Sequence, residues 1–156
     1  MRGSTVPTES AERTLASLLG RRLRRVRRIF FALGGEVDRS SGAIELTVDE
    51  VGPVVLDAAA DGSSLKVAVG GWHDPFDRPL EIEDEEFVAA HGKWTGIDVS
   101  SEEPWTALID HMIDAVEPPR TARGPGGEES ARLGIDGRVI EVAVVADELH
   151  VRVFDE

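Results

Sequence analysis

Arg138-Val139-Ile140-Glu141-Val142-Ala143-Val144-Val145-Ala146-Asp147-Glu148-Leu149-His150-Val151-Arg152-Val153-Phe154 reads as two strands around a short turn. Val and Ile crowd residues 138–145, residues 149–154 alternate apolar with polar, and Ala146-Asp147-Glu148 separates the two runs. β-Branched side chains suit a half-buried pleated surface, so the stretch is predicted to be a hairpin. A period of two turns Leu149, Val151 and Val153 toward the core and His150, Arg152 and Phe154 away from it. Residues 132–135 run into Asp136-Gly137, a two-residue hairpin signal, and supply the strand before.

A passage of the same kind lies in the first half. Residues 43–48 alternate as a strand, Gly52-Pro53 is predicted to turn the chain, residues 54–58 form the next strand, and Asp61-Gly62 leads into residues 65–69. Leu65-Lys66-Val67-Ala68-Val69 lies over Leu149-His150-Val151-Arg152-Val153, and Val54-Val55-Leu56 over Val139-Ile140-Glu141. Upstream, Leu19, Leu23 and Val26 stand a constant 90 positions before Ile109, Ile113 and Val116. The spacing of Trp105, Leu108, Ile109, Met112, Ile113 and Val116 is helical behind Ser100 or Ser101, with Pro118-Pro119 as its stop. In the first unit Gly20 and Ile29-Phe30-Phe31 favour a helix to about Leu19 and a strand over residues 22–31. Residues 21–31 and 111–117 satisfy both patterns, so strand and helix stay open for each.

The resulting expectation is a strand-dominated α+β fold in one domain, residues 1–156, built mostly of antiparallel sheet. Two similar helix-plus-four-strand units, residues 8–70 and 101–156, are joined by an acidic connector, residues 71–100, with one short helix. That helix is predicted over residues 84–91, closed by Gly92. Trp72, Phe76, Phe87, Trp94 and Ile97 are too apolar for a free linker and are expected to pin the connector on the sheet, with Trp72 and Trp94 substantially buried. Residues 118–130, with Gly124-Pro125-Gly126-Gly127, have little to bury and are predicted to form a mobile loop.

Charge narrows the function. The chain carries a net charge of −13, yet residues 1–34 hold eight Arg against Glu9 and Glu12, so the remainder carries −19. Such a surface attracts cationic partners and repels polyanions. The one basic run, Arg21-Arg22-Leu23-Arg24-Arg25-Val26-Arg27-Arg28, reads either as a phosphate-binding strip or as a strand whose arginines pair with Glu45, Asp49, Asp57 or Glu141; the acidic surroundings favour pairing. The longest apolar runs, residues 29–33 and 142–146, are far short of the roughly 20 residues that cross a bilayer. No apolar signal-peptide core follows Met1-Arg2-Gly3-Ser4, so a cytoplasmic location is expected.

Chemistry-bearing motifs are sparse. The chain has no Cys and no Tyr, and His73, His91, His111 and His150 never stand at the i, i+4 spacing of a helical zinc site. The glycine pairs lack phosphate-loop context, and no nucleophile elbow or triad spacing occurs. No catalytic residue, metal or cofactor is therefore assigned. The leading reading is an interaction domain that neutralises a protein with a basic surface, in the manner of an immunity protein. Its contact residues are Asp74, Phe76, Asp77, Glu81, Glu83, Asp84, Glu85 and Glu86. The second reading is a small enzyme or ligand binder with a cleft between the duplicated halves that gathers Trp72, His73 and Trp94. The third is a nucleic-acid-associated regulator using the Arg run.

Overall fold

The computed structural model describes residues 7–76, 78–121 and 128–156. Helix α1 (Pro7–Ala16) leads into the long strand β1 (Leu23–Leu33), followed by β2 (Glu36–Asp38), β3 (Ile44–Val48), β4 (Gly52–Ala58) and β5 (Leu65–Val69). Helix α2 (Ile82–His91) and strand β6 (Lys93–Asp98) come next, then a 3-10 turn at Trp105–Ala107. Strands β7 (Ile113–Thr121), β8 (Glu129–Ile135), β9 (Arg138–Val145) and β10 (Glu148–Asp155) complete the chain. The fold is strand-dominated and its sheets are antiparallel.

Two sheets form. The first is six-stranded, in the order β2-β1-β3-β4-β5 with β6 on the other side of β1; the second is four-stranded, in the order β10-β9-β8-β7. Each contains a four-strand meander, β1-β3-β4-β5 or β7-β8-β9-β10, and the two registers run in step, with Val54 at the place of Ile140, one residue beyond the Val139 expected from the sequence. Leu23 faces Val48 and Ile113 faces Ile135, each followed by a one-residue bulge; Val54 faces Val69 and Ile140 faces Val153; Leu56 faces Val67 and Val142 faces Val151. Where the meanders begin they bond to each other. Arg22 and Met112 form a bridge, Leu23 N–H donates to His111 O and Ile113 N–H to Arg21 O, while Asp110 N–H donates to Leu23 O and Gly20 N–H to Ile113 O. These bonds are reciprocal between positions 90 apart in sequence.

The expected hairpin is present, and its turn explains its register. Ala146 and Asp147 both adopt positive φ, as do Asp136 and Gly137 in the turn before, matching the two-residue turns whose twist suits adjoining strands. One buried cluster takes Val26, Ile44, Leu46, Val54, Leu56 and Leu65 from the first sheet and Leu133, Ile135, Ile140, Val142, Val144 and Leu149 from the second. Helix α1 packs against β5 and β7, and Leu15 and Leu18 add fully buried side chains at its C-terminal end. Each buried leucine contributes about 1.5–3 kcal/mol relative to exposure.

Several local expectations are corrected. The helix over residues 101–116 does not form: Asp110 takes a left-handed φ of 71°, and the backbone from Ile113 onward bonds to β8 instead. Pro118-Pro119 therefore lies inside β7, at a register shift on the sheet's edge where a missing N–H is tolerated. The first-half turn falls at residues 49–51, with Glu50 at positive φ, and Gly52-Pro53 opens β4. Of the loop expected over residues 118–130, the two flanks are paired strand and residues 122–127 lie outside the described residues. Residues 93–98 are a paired strand of the first sheet, which the connector reading did not foresee. No helix among the described residues is long and apolar enough to cross a membrane.

Candidate functional site

The Arg run of β1 is engaged within the fold. Arg24 forms a two-pronged bond to Asp49 at 2.8 Å on each prong and reaches Asp110 at 2.9 Å; these bonds raise its affinity for its proton and hold Asp49 below the usual carboxylate range. Arg25 lies 3.2 Å from Asp98, and Arg21 3.0 Å from Glu50. Arg28 is buried, bonds to Gly42 O and Ala43 O, and stacks 4.6 Å over Phe30; burial, aided by the charge of Arg39, lowers it to about 10. Two anticipated partners are elsewhere. Glu141 bonds to Arg152 and Arg132, and Asp57 forms no ion pair among the described residues.

Arg27 does more than pair. Its guanidinium donates twice to Glu45, at 3.1 and 2.7 Å, and once to Trp72 O at 2.7 Å, while Trp72 N–H donates to the same carboxylate at 2.7 Å. Glu45 is only 3% exposed, so this three-way bond satisfies a buried charge and ties the chain after β5 back onto the sheet. Asp74 continues the anchoring by accepting from Lys93 Nζ at 2.7 Å and Phe76 N–H at 2.8 Å. Burial pushes its carboxyl up, but those bonds together outweigh burial and hold it below the usual range.

Beyond this anchor the surface is apolar and rimmed with charge. Phe76 stacks on Phe87 at 6.2 Å, Phe87 lies 4.8 Å from His91, and Trp94 meets Phe31 edge-on at 5.4 Å. With Trp72 and Pro75 they wall a groove of about 370 Å³. Helix α2 buries no residue, and Ile82, Phe87 and Trp94 are 73%, 52% and 47% exposed. The expected burial of Trp94 is thus corrected: its ring partner Phe31, opposite it in the register, is itself only half-buried, and Trp72 alone of the two tryptophans is half-buried. Trp105, 7% exposed under the second meander, is the deeply buried tryptophan.

The eight residues named from sequence fall into three groups here. Asp74 and Asp84 are tied to Lys93 and Arg78, and Phe76 lines the groove beneath the Arg78 guanidinium at 6.0 Å. Glu81, Glu83, Glu85 and Glu86 stand on the exposed start of α2 and form no ion pair among the described residues. Asp77 lies outside the described residues. Sequence reasoning named Glu45 and Asp49 as partners of the Arg run, and both are; it missed β6 and the part of Trp72 in the anchor, although the single Lys93 beside an aromatic in an acidic segment was a usable signal.

A second cavity, about 310 Å³, opens between the two meanders on the other side of Trp72 and Trp94. Ile29, Ala43 and Leu149 form apolar wall, and Ser41, Asp57, Asp147 and Glu148 bring polar groups to it. Burial pushes the Asp57 carboxyl up, against the bond from Ala58 N–H and the charge of Lys66. The cleft expected to gather Trp72, His73 and Trp94 therefore contains both tryptophans, while exposed His73 lines a separate surface cleft beside Arg25 and Arg27. Among the described residues no group of three His, Asp or Glu side chains is placed to hold a metal ion. No protein-family model, curated protein or solved structure matches the chain.

Proposed function

We propose that this chain is a non-catalytic interaction domain that docks and neutralises a protein with a basic surface, through the aromatic groove and the start of α2. One observation carries the reading: exposed Phe87, Trp94 and Ile82 lie next to Glu81, Glu83, Glu85 and Glu86, carboxylates without ion pairs among the described residues. Apolar anchors inside a charged rim are the anatomy of a specific interface, and the sign of the rim selects a cationic partner. The remaining −19 outside residues 1–34 acts in the same direction at longer range. Nucleic acid is disfavoured by that same field and by the engagement of the β1 arginines in internal pairs. A cytoplasmic location and a single-domain organisation belong to this proposal.

The matching registers and the reciprocal bonds 90 positions apart support, in addition, descent of the two meanders from one duplicated unit, with the helical start retained only in the first. The test of the interaction is kinetic. A captured basic partner should associate about tenfold more slowly with a Glu83→Lys, Asp84→Lys, Glu85→Lys, Glu86→Lys variant, and also at raised salt. Phe87→Ala should act mainly on dissociation. An association rate indifferent to both charge reversal and salt rejects the proposal.

A further inference from the structure

We infer that the cavity between the meanders binds an organic cation, an ammonium or guanidinium group on an aliphatic stem. This site uses none of the α2 carboxylates and does not rest on the proposed protein partner. Its first support is Ser41, 5% exposed, whose hydroxyl has no protein hydrogen-bond partner among the described residues although it lines the cavity. Buried hydroxyls are almost always bonded, so one that faces a cavity marks a place for a ligand's donor or acceptor.

The second support is negative charge with little close compensation: Lys66, opposite Asp57 in the register, opposes the effect of its burial without forming an ion pair with it. Asp57 and Asp147 form no ion pair among the described residues, and Glu148 there meets His150 alone, at 3.9 Å. This differs from the sheet surfaces, where Asp49, Asp98 and Glu141 each hold an arginine. The Asp147 carboxylate is packed against Gly62, where a Cβ would collide with it, so the turn of the second meander is seated over the first. Three carboxylates around a partly apolar space make a field that a cation relieves and an anion cannot enter.

The third support is the wall. Trp72 and Trp94 border the cavity, and indole faces attract ammonium and guanidinium groups, more strongly when water is partly excluded. Ile29 and Leu149, both buried, offer contact for an aliphatic stem. The carboxylates do not converge as metal ligands, and spread anions beside aromatic faces suit an extended organic cation instead.

The register accounts for the space beside the first meander. Ile44 faces Leu56 as Ala131 faces Val142, so Gly42 occupies the position that Glu129 holds in the second meander. There the Glu129 side chain reaches across and accepts from Leu65 N–H at 2.6 Å; Gly42 has no side chain and bonds through its N–H to Leu149 O.

The full-length chain should be titrated with cadaverine, standing for a free diamine, and with a capped Gly-Arg-Gly peptide, standing for a protein side chain. Binding is read by calorimetry and by tryptophan fluorescence, with 1-pentanol as the neutral control. We expect saturable binding of at least one cation, weakened about tenfold or more by Asp57→Asn and by Asp147→Asn, the latter at an exposed turn where Asn tolerates the positive φ. The α2 charge-reversal variant should bind within about threefold of the unaltered chain, because none of the four reversed carboxylates lines the cavity. Circular dichroism checks that both Asn variants fold. The inference is overturned by no saturable binding below about 10 mM, by equal binding of 1-pentanol, or by Asn variants that fold and bind like the unaltered chain. Because no α2 carboxylate lines the cavity, failure here leaves the proposed interface standing, and the reverse also holds.

Discussion

Strand β1 and helix α2 carry the two densest charge runs in the chain, and they use charge in opposite ways. On β1 the cross-strand geometry sets Arg24 beside Asp49, Arg25 beside Asp98 and Arg27 beside Glu45. On α2 Glu83, Asp84 and Glu85 lie in the first turn, where the helix dipole accepts them, and among the described residues Asp84 alone of these pairs with a cation. A run of like charge in a sequence is thus not itself a binding site. What decides is whether the fold delivers opposite charges to it, and here the fold does so for the arginines and leaves the glutamates facing solvent.

The largest effect is expected from Arg27→Ala. It removes both bonds to Glu45 and leaves a carboxylate with 3% exposure inside the sheet, held only by Trp72 N–H. Removing one partner of a buried ion pair costs about 3–5 kcal/mol, and chemical denaturation should find a loss of that size. The double variant Arg27→Met, Glu45→Leu should recover most of it, because no charge is then buried alone. A loss below about 1 kcal/mol in the single variant would place Arg27 with ordinary surface pairs.

The sequence made β9, β10 and the strands 44–48 and 65–69 legible because alternation and turn residues are local signals. It made the acidic helix legible through Gly92 and the first-turn carboxylates. Residues 101–117 misled because Trp105, Leu108, Ile113 and Val116 fit a period of 3.6 while their burial is dictated by β8 and by the start of β1, partners distant in sequence. Strand β6 was hidden for a related reason: Lys93-Trp94-Thr95-Gly96-Ile97-Asp98 has weak alternation, and its pairing with β1 is a tertiary choice. Of the site, the residue types and the pairing of the Arg run with Glu45 and Asp49 were readable, and the pairing on α2 was not. Nothing in the spelling separates Asp84, which meets Arg78, from Glu85, which meets no cation among the described residues.

Glu141 and Asp57 respond to pH with opposite signs. Bonds from Arg152 and then Arg132 hold Glu141 below the usual range against opposing burial. Its folded-state affinity for a proton is reduced, so its contribution to stability is present above the unfolded value of about 4.3 and is lost as pH falls through the lower folded value. Glu141→Gln should therefore destabilise by about 1 kcal/mol at neutral pH, given the exposure of Arg152, and the gap should close in acid. Asp57 carries the opposite sign. Burial raises it, so ionisation costs stability once pH exceeds the unfolded value of about 3.9 and rises through the folded one. Asp57→Asn should gain up to about 1 kcal/mol at neutral pH, keep the bond from Ala58 N–H, and show no gain near pH 3. Parallel pH profiles for the two variants would contradict the assignment of one as paired and the other as unpaired.

The smallest stability effect is predicted where the proposed functional effect is concentrated. Glu83, Glu85 and Glu86 are exposed, form no ion pair among the described residues, and belong to a helix with no buried residue. Their favourable interaction with the helix dipole is the main contribution that a change to Gln removes, about 0.3–1 kcal/mol at most at low salt and less under screening. The triple Gln variant should therefore unfold within about 1 kcal/mol of the unaltered chain, and raised salt should shrink even that difference. Thermal and denaturant unfolding at two ionic strengths measure it. If the triple variant instead lost as much stability as Arg27→Ala, these carboxylates would have hidden internal partners, and the contrast between β1 and α2 would disappear. A near-silent outcome leaves three glutamates whose placement stability does not require, beside an aromatic groove that the helix leaves open to solvent.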